Sequence, residues 1–195
     1  LAQDGRDVTF ATSVDYDHVE FLEKSYGLTV KNFYQGKDNK KTRYWIKHGD
    51  SSYKHLQVND VNQEFSQSFL ENFDLSSFDI IAFADYRCGF IKETFIKHAT
   101  DSGKITYASS QISSRETNYD HLVCNEEEAK YSGRQLNICI TKGDRGCEFN
   151  GISYPAYPPD KVVNTIGAGD CFYAALLATG DPDYANKKAS KFVSI

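Results

Sequence analysis

The chain has 195 residues and a mass of 22.0 kDa, with 40% hydrophobic and 25% charged residues. That size supports one core without staples, and the composition excludes extended disorder. A net charge of −5 and a pI near 5.5 exclude a global nucleic-acid footprint, and no stretch approaches the ~20 apolar residues of a membrane span.

The five cysteines (Cys88, Cys124, Cys139, Cys147, Cys171) are odd in number and lack C-x-x-C spacing. They read as reduced thiols of a cytoplasmic protein rather than zinc ligands. No signal-peptide pattern opens the chain. It starts at Leu1 and contains no methionine, so it reads as a fragment, a processed chain or an incompletely recorded one.

In chain order, Val8–Val14 reads as a buried strand. Tyr16–Tyr26 reads as an amphipathic helix on Val19, Leu22 and Tyr26, stopped at Gly27. Leu28–Tyr34, Thr42–Lys47 and Tyr53–Val58 read as three short strands of an antiparallel meander, a flap inserted into an αβ chain. Val61–Phe73 is expected to be helical. Asp79–Ala84 has the apolar run of a strand buried on both faces. A helix at Ile91–Ala99, a strand at Lys104–Ala108 and a strand at His121–Cys124 follow, the last leading into a helix at Glu126–Tyr131. Leu136–Thr141 is a strand, Glu148–Tyr154 a hairpin broken at Gly151, and Ala168–Thr179 and Asp183–Val193 are helices. Repeated strand–helix alternation predicts a doubly wound α/β sheet.

Three motifs carry chemistry. In Asn164-Thr165-Ile166-Gly167-Ala168-Gly169-Asp170, small residues precede an apolar helix. Free N–H groups and the helix dipole favour an anion there, and Asp170 is placed to take a proton. The plainer alternative is a turn with Asp170 as a helix cap. Asn125-Glu126-Glu127-Glu128 opens a helix, where acidic residues also complement the dipole. Thr141-Lys142-Gly143-Asp144-Arg145-Gly146 ends a strand and could be a nucleotide contact or a simple β-turn. The five histidines share no metal spacing and read as structural or solvated. Lys187, Lys188 and Lys191 read as a solvated helix face.

Asn164 to Phe172 resembles the D-T-x-G-A-G-D-x-F signature of the ribokinase-like (PfkB) carbohydrate kinases, with Asn164 in place of Asp. Asn125 with Glu128 is similar to that family's N-x-x-E, and Thr141 to Gly146 to its T-x-G-x-x-G. The resemblance implies a three-layer ribokinase-like fold, with one domain over 1–195 incomplete at both ends and a β lid at 28–58. It implies ATP-dependent phosphorylation of a sugar or sugar-phosphate hydroxyl. Asp170 is then the base, and Gly167, Ala168 and Gly169 form the anion hole. Thr141, Gly143, Gly146 and Thr165 touch the nucleotide, and Asn125 and Glu128 help hold Mg²⁺ largely through water. The lid would also form a homodimer contact. Arg43 on the Lys41–Tyr44 strand and the Asp85-Tyr86-Arg87-Cys88-Gly89 turn look like heptose-7-phosphate kinase domains, which carry D-Y-x-K-G. Cys88 replaces that lysine, leaving Arg43, Asp85 and Arg87 as candidate substrate contacts. A nucleoside or vitamin kinase of the same fold, or a non-catalytic binding relative, is the alternative.

Overall fold

The computed structural model describes residues 1, 5–12, 16–32, 41–48, 51–59, 73–85, 91–110, 119–132 and 137–194. The expected helix at Val61–Phe73 lies outside them except for Phe73, which is not helical. The chain forms two compact units.

The first unit holds β1 (Thr9–Thr12), α1 (Tyr16–Tyr26), β2 (Thr29–Asn32), β3 (Lys41–His48) and β4 (Ser51–Asn59). The helix bounds match the periodicity. Gly27 ends α1 with its N–H on the Glu23 carbonyl at 3.0 Å. Val19 and Leu22 are half-buried, but Tyr26 is exposed and meets Phe21 edge-on at 5.8 Å. β1 is shorter than expected and is not buried, since Phe10 stands on its open side. The meander also needs correction. β2 pairs in parallel with β1, from Thr9 opposite Thr29 to Thr12 opposite Asn32. Only β3 and β4 form the antiparallel pair, with a register shift at Tyr44/Trp45. A helix between two strands permits the parallel crossover, and local turn chemistry could not reveal that choice.

The second unit carries a six-stranded sheet, β10-β9-β8-β7-β6-β5. Its strands are β5 (Ile80–Asp85), β6 (Ile105–Ser110), β7 (His121–Asn125), β8 (Asn137–Thr141), β9 (Cys147–Phe149) and β10 (Ile152–Tyr154). β5 to β8 are parallel, and β9 and β10 add antiparallel strands at the β8 edge. α2 (Glu93–Asp101) and α3 (Glu126–Ala129) pack on one face, and α4 (Ala168–Thr179) and α5 (Pro182–Phe192) on the other. α3 is one turn long, shorter than the expected Glu126–Tyr131.

Each face has its own core. Ile81, Phe83, Ala108, Leu122 and Cys124 meet Ile96 and Ala99 of α2. Val123, Cys139 and Cys147 meet Phe172, Tyr173, Ala175 and Leu176 of α4 and Ala185 of α5. β5 was expected to be buried on both faces, but its burial alternates strictly and Ile80 is 41% exposed. A polar lock joins the start of β7 to β6. Asp120 Oδ2 accepts from the Thr106 N–H at 2.8 Å and from its hydroxyl at 2.9 Å, with Thr106 fully buried.

Among the described residues α4 is the most apolar helix, and its Leu176 is 2% exposed. Leu176→Ala is expected to cost about 2–5 kcal/mol in urea unfolding, from lost burial and the cavity left behind.

Candidate functional site

The parallel strands end together. Asp85 closes β5 opposite Ser110 of β6, and Asn125 closes β7 opposite Thr141 of β8. In open α/β sheets ligands bind along this carboxyl edge.

α4 is held to that edge by burial and by Tyr173, whose hydroxyl donates to the Phe83 carbonyl at 3.2 Å. Burial pushes the Tyr173 phenol well up. Asp170 stands three residues earlier, one helical turn nearer the N-terminus and on the same side. It is exposed. Gly167 caps the helix in the left-handed region at φ +87, and a Cβ there would meet the Phe192 ring at 3.3 Å. The left-handed backbone favours glycine here, and a Cβ would require the Phe192 ring to give by a few tenths of an ångström.

The anion hole differs from its expected form. The Ala168 N–H donates to the Thr165 carbonyl at 3.2 Å, so it is occupied. Among the described residues, no backbone carbonyl accepts from Gly167 or Gly169, and the space beside Gly169 is open. Asn164, where the signature has Asp, folds back so that its Oδ1 accepts from the Ile166 N–H at 3.0 Å. This turn needs an oxygen acceptor and not a charge, so the substitution preserves the loop. Thr165 is exposed in the same loop.

Asn125 and Glu128 form a reciprocal capping box. Asn125 Oδ1 accepts from the Glu128 N–H, and Glu128 Oε2 accepts from the Asn125 N–H, both at 2.9 Å. Their first role is to close α3. A carboxylate keeps further lone pairs, so Glu128 retains acceptor capacity. No group of three or more His, Cys, Asp or Glu among the described residues could cage a metal.

The Thr141 segment also departs from expectation. The Thr141 hydroxyl donates to the Cys124 carbonyl at 3.3 Å, which leaves its oxygen as an acceptor and not a donor to phosphate. Gly143 opens a short 3₁₀ turn, Gly143–Arg145, with open space beside it. Gly146 is buried, and a Cβ there would lie 2.1 Å from the Tyr154 carbonyl oxygen and 2.6 Å from the Ala156 nitrogen. Glycine here lets the chain after β10 pass. Lys142 pairs with Glu148 at 2.6 Å, and Arg145 pairs with Glu126 of α3.

Asp85 is buried at 2% exposure. The Arg43 side chain and Arg87 lie outside the described residues. The sequence reading missed Asn186. It is buried on α5 and donates to the Tyr154 and Pro155 carbonyls, each at 3.2 Å. No local pattern marks such a residue, because its partners are about 30 positions away. A cavity of about 500 Å³ lies between the segment 157–161 and α5. Tyr157, Pro158, Pro159, Lys161, Lys187 and Lys191 line it.

The profile of the pfkB family carbohydrate kinases matches residues 1–192. The chain belongs to this family. Its fold is the ribokinase-like α/β fold seen in solved structures of low identity. A Burkholderia thailandensis nucleoside kinase in complex with inosine is 16% identical at a TM-score of 0.66, over 99% of this chain and 76% of that one. A Methanocaldococcus jannaschii nucleoside kinase, described as an archaeal member of the ribokinase family, is 14% identical at 0.69, over 100% and 76%. An uncharacterized sugar kinase from Pyrococcus horikoshii in complex with ATP is 13% identical at 0.68, over 99% and 78%. No curated protein matches significantly. Among the described residues, no helix is long and apolar enough to cross a membrane.

Two outcomes are expected. Gly146→Ala should cost more than about 3 kcal/mol in urea unfolding, since it adds a clash to a strained φ of +90. Gly143→Ala, with open space, should cost only about 1–2 kcal/mol. Separately, burial and then the Glu128 carboxylate push the Cys124 thiol up to about 12. The unfolded chain therefore ionises this thiol first, and stability present below pH about 9 should fall as pH rises toward 12. Urea midpoints from pH 7.5 to 10.5 should decline less steeply in Cys124→Ala.

Proposed function

We propose that the protein is an ATP-dependent kinase that phosphorylates a sugar or sugar-phosphate hydroxyl. The observation that carries this reading is the N-terminus of α4, where the Gly167 and Gly169 N–H groups are unengaged among the described residues and Asp170 stands in the same turn. A helix N-terminus stabilises negative charge, and a transferring phosphoryl group is rich in it.

The acceptor hydroxyl oxygen bonds to the γ-phosphorus while the bond to the bridging β–γ oxygen breaks and ADP leaves. Asp170 accepts the hydroxyl proton. In a loose transition state this transfer comes late, so an ordinary exposed carboxylate suffices. The Gly167 and Gly169 N–H groups hold the phosphoryl oxygens, and Thr165 stands next to them. Thr141 and Gly143 remain on the nucleotide side, while Gly146 shapes the turn.

The residues present fit Mg²⁺ held through water. Glu128 keeps acceptor capacity beside Glu126 and Glu127, which pair with Arg145 and Lys130, and this ion retains several waters. When bound, the ion neutralises phosphate charge. Asn125 positions Glu128 through the capping box. By the family resemblance, Asp85, Arg43 and Arg87 are the candidate acceptor contacts and residues 28–58 the candidate lid, whose closing would exclude water. Cys88 stands where heptose-7-phosphate kinase domains carry a lysine, so a phosphorylated acceptor rests on Arg87 taking that role.

A nucleoside acceptor is the second reading. It is supported by the two nucleoside kinases of the same fold, one of them holding inosine. ADP release with a panel of sugars, sugar phosphates and nucleosides separates the two. Asp170→Asn is expected to lower turnover about 10²–10⁴-fold with nucleotide affinity little changed. Turnover near the wild-type level in Asp170→Asn would assign the base elsewhere. Nucleotide binding with no turnover on any acceptor would favour a non-catalytic relative.

A further inference from the structure

We propose that Tyr173 is a positioning residue for phosphoryl transfer: its hydroxyl fixes Asp170 of α4 relative to the carboxyl end of β5, where Asp85 stands. The proposal rests on the kinase reading above.

The base and the acceptor side belong to different elements. Asp170 lies in the first turn of α4. Asp85, the candidate acceptor contact, is the last residue of β5 and is buried. A misplacement of about 1 Å between a base and the hydroxyl it serves can cost roughly a hundredfold in rate. The distance from α4 to β5 therefore has to be set by something.

Burial sets it poorly. The apolar face of α4 packs on Val123, Cys139 and Cys147 of β7, β8 and β9, with Tyr107 of β6 beside them. β5 lies two strands from β7, about 10 Å away at ordinary strand spacing. Its Ile81 and Phe83 point to the other face, toward Ile96 and Ala99 of α2. On the side of α4, β5 presents Ile80, Ala82 and Ala84, and all three are exposed. Apolar contact is also non-directional, so it leaves small rotations and slides of the helix soft.

The Tyr173 hydroxyl supplies the link. It donates to the Phe83 carbonyl at 3.2 Å, two residues before Asp85 on the same strand. Tyr173 follows Asp170 by three positions, so the two side chains share a face of α4. A hydrogen bond is directional, and this one is buried, so it holds rotation and slide where burial leaves them soft. Burial pushes the phenol well up, so it remains a donor across the pH range of a kinase assay. The Thr179 hydroxyl, at the far end of α4, donates instead to the Ala175 carbonyl of its own helix at 3.0 Å.

Tyr173→Phe keeps the ring and removes the bond. Turnover of Mg-ATP with the best acceptor from the sugar, sugar-phosphate and nucleoside panel is measured for the wild type, Tyr173→Phe, Asp170→Asn and the double variant. Calorimetry gives the ATP affinity of each. Tyr173→Phe is expected to lower kcat about tenfold, with the ATP dissociation constant within about threefold of wild type. In the Asp170→Asn background it is expected to lower kcat less than about twofold, because residues that act as a unit are not additive. An equal loss in both backgrounds means that the hydroxyl serves the fold and not the base, and overturns the proposal. A kcat for Tyr173→Phe within about twofold of wild type overturns it as well, as does loss of ATP binding together with turnover. Each of these leaves the kinase reading standing. No turnover by the wild type on any acceptor overturns both.

Discussion

The structure depends most on how α4 is seated. One face of this helix presents Phe172, Tyr173, Ala175 and Leu176 to Val123, Cys139 and Cys147 of the sheet. Burying each large side chain contributes about 1.5–3 kcal/mol, and these contributions act along the whole helix. The Tyr173 hydroxyl then sets the register against β5. A helix held this firmly can leave its N-terminal N–H groups without partners. A loosely held one would fray, and its first turn would be solvated. The candidate site is therefore the N-terminal end of a helix seated by burial.

The residues around that end are already organised. Asn164 folds the approach loop, and the Ala168 N–H closes it on Thr165. Asn125 and Glu128 lock each other at the start of α3. The Thr141 hydroxyl is spent on the neighbouring strand. Each of these bonds removes a motif residue from one imagined ligand contact and converts it into a geometric constraint. Among the described residues, the Gly167 and Gly169 N–H groups and the remaining oxygen capacity of Glu128 stay open to a ligand. Preorganised donors of this kind need no rearrangement as charge develops.

Local patterns were legible to the residue where two local rules agreed. Tyr16–Tyr26 combined an apolar stripe with a glycine stop, and Ala168–Thr179 combined an apolar run with a glycine at each end. The turn at Asn150-Gly151 likewise appeared where the hairpin was expected to break. Pairing partners were not legible. β2 carries strand chemistry suited to either a meander or a crossover, and only the placement of α1 between the strands resolved it as parallel. The exposed side of β5 was hidden for the same reason, since an apolar run does not say which neighbours arrive to cover it.

The sequence by itself determined the α/β class, most of the elements, and the chemical character of the Gly167–Asp170 turn, because these depend on neighbours within a few positions. The tertiary structure decided what each motif residue is free to do. Gly146 serves the passage of the chain after β10, and Asn186 ties α5 to that same stretch from about 30 positions away. Hydrogen bonds saturate, and a buried position holds one group. A residue's availability therefore depends on which distant groups reach it first, and no local pattern records that.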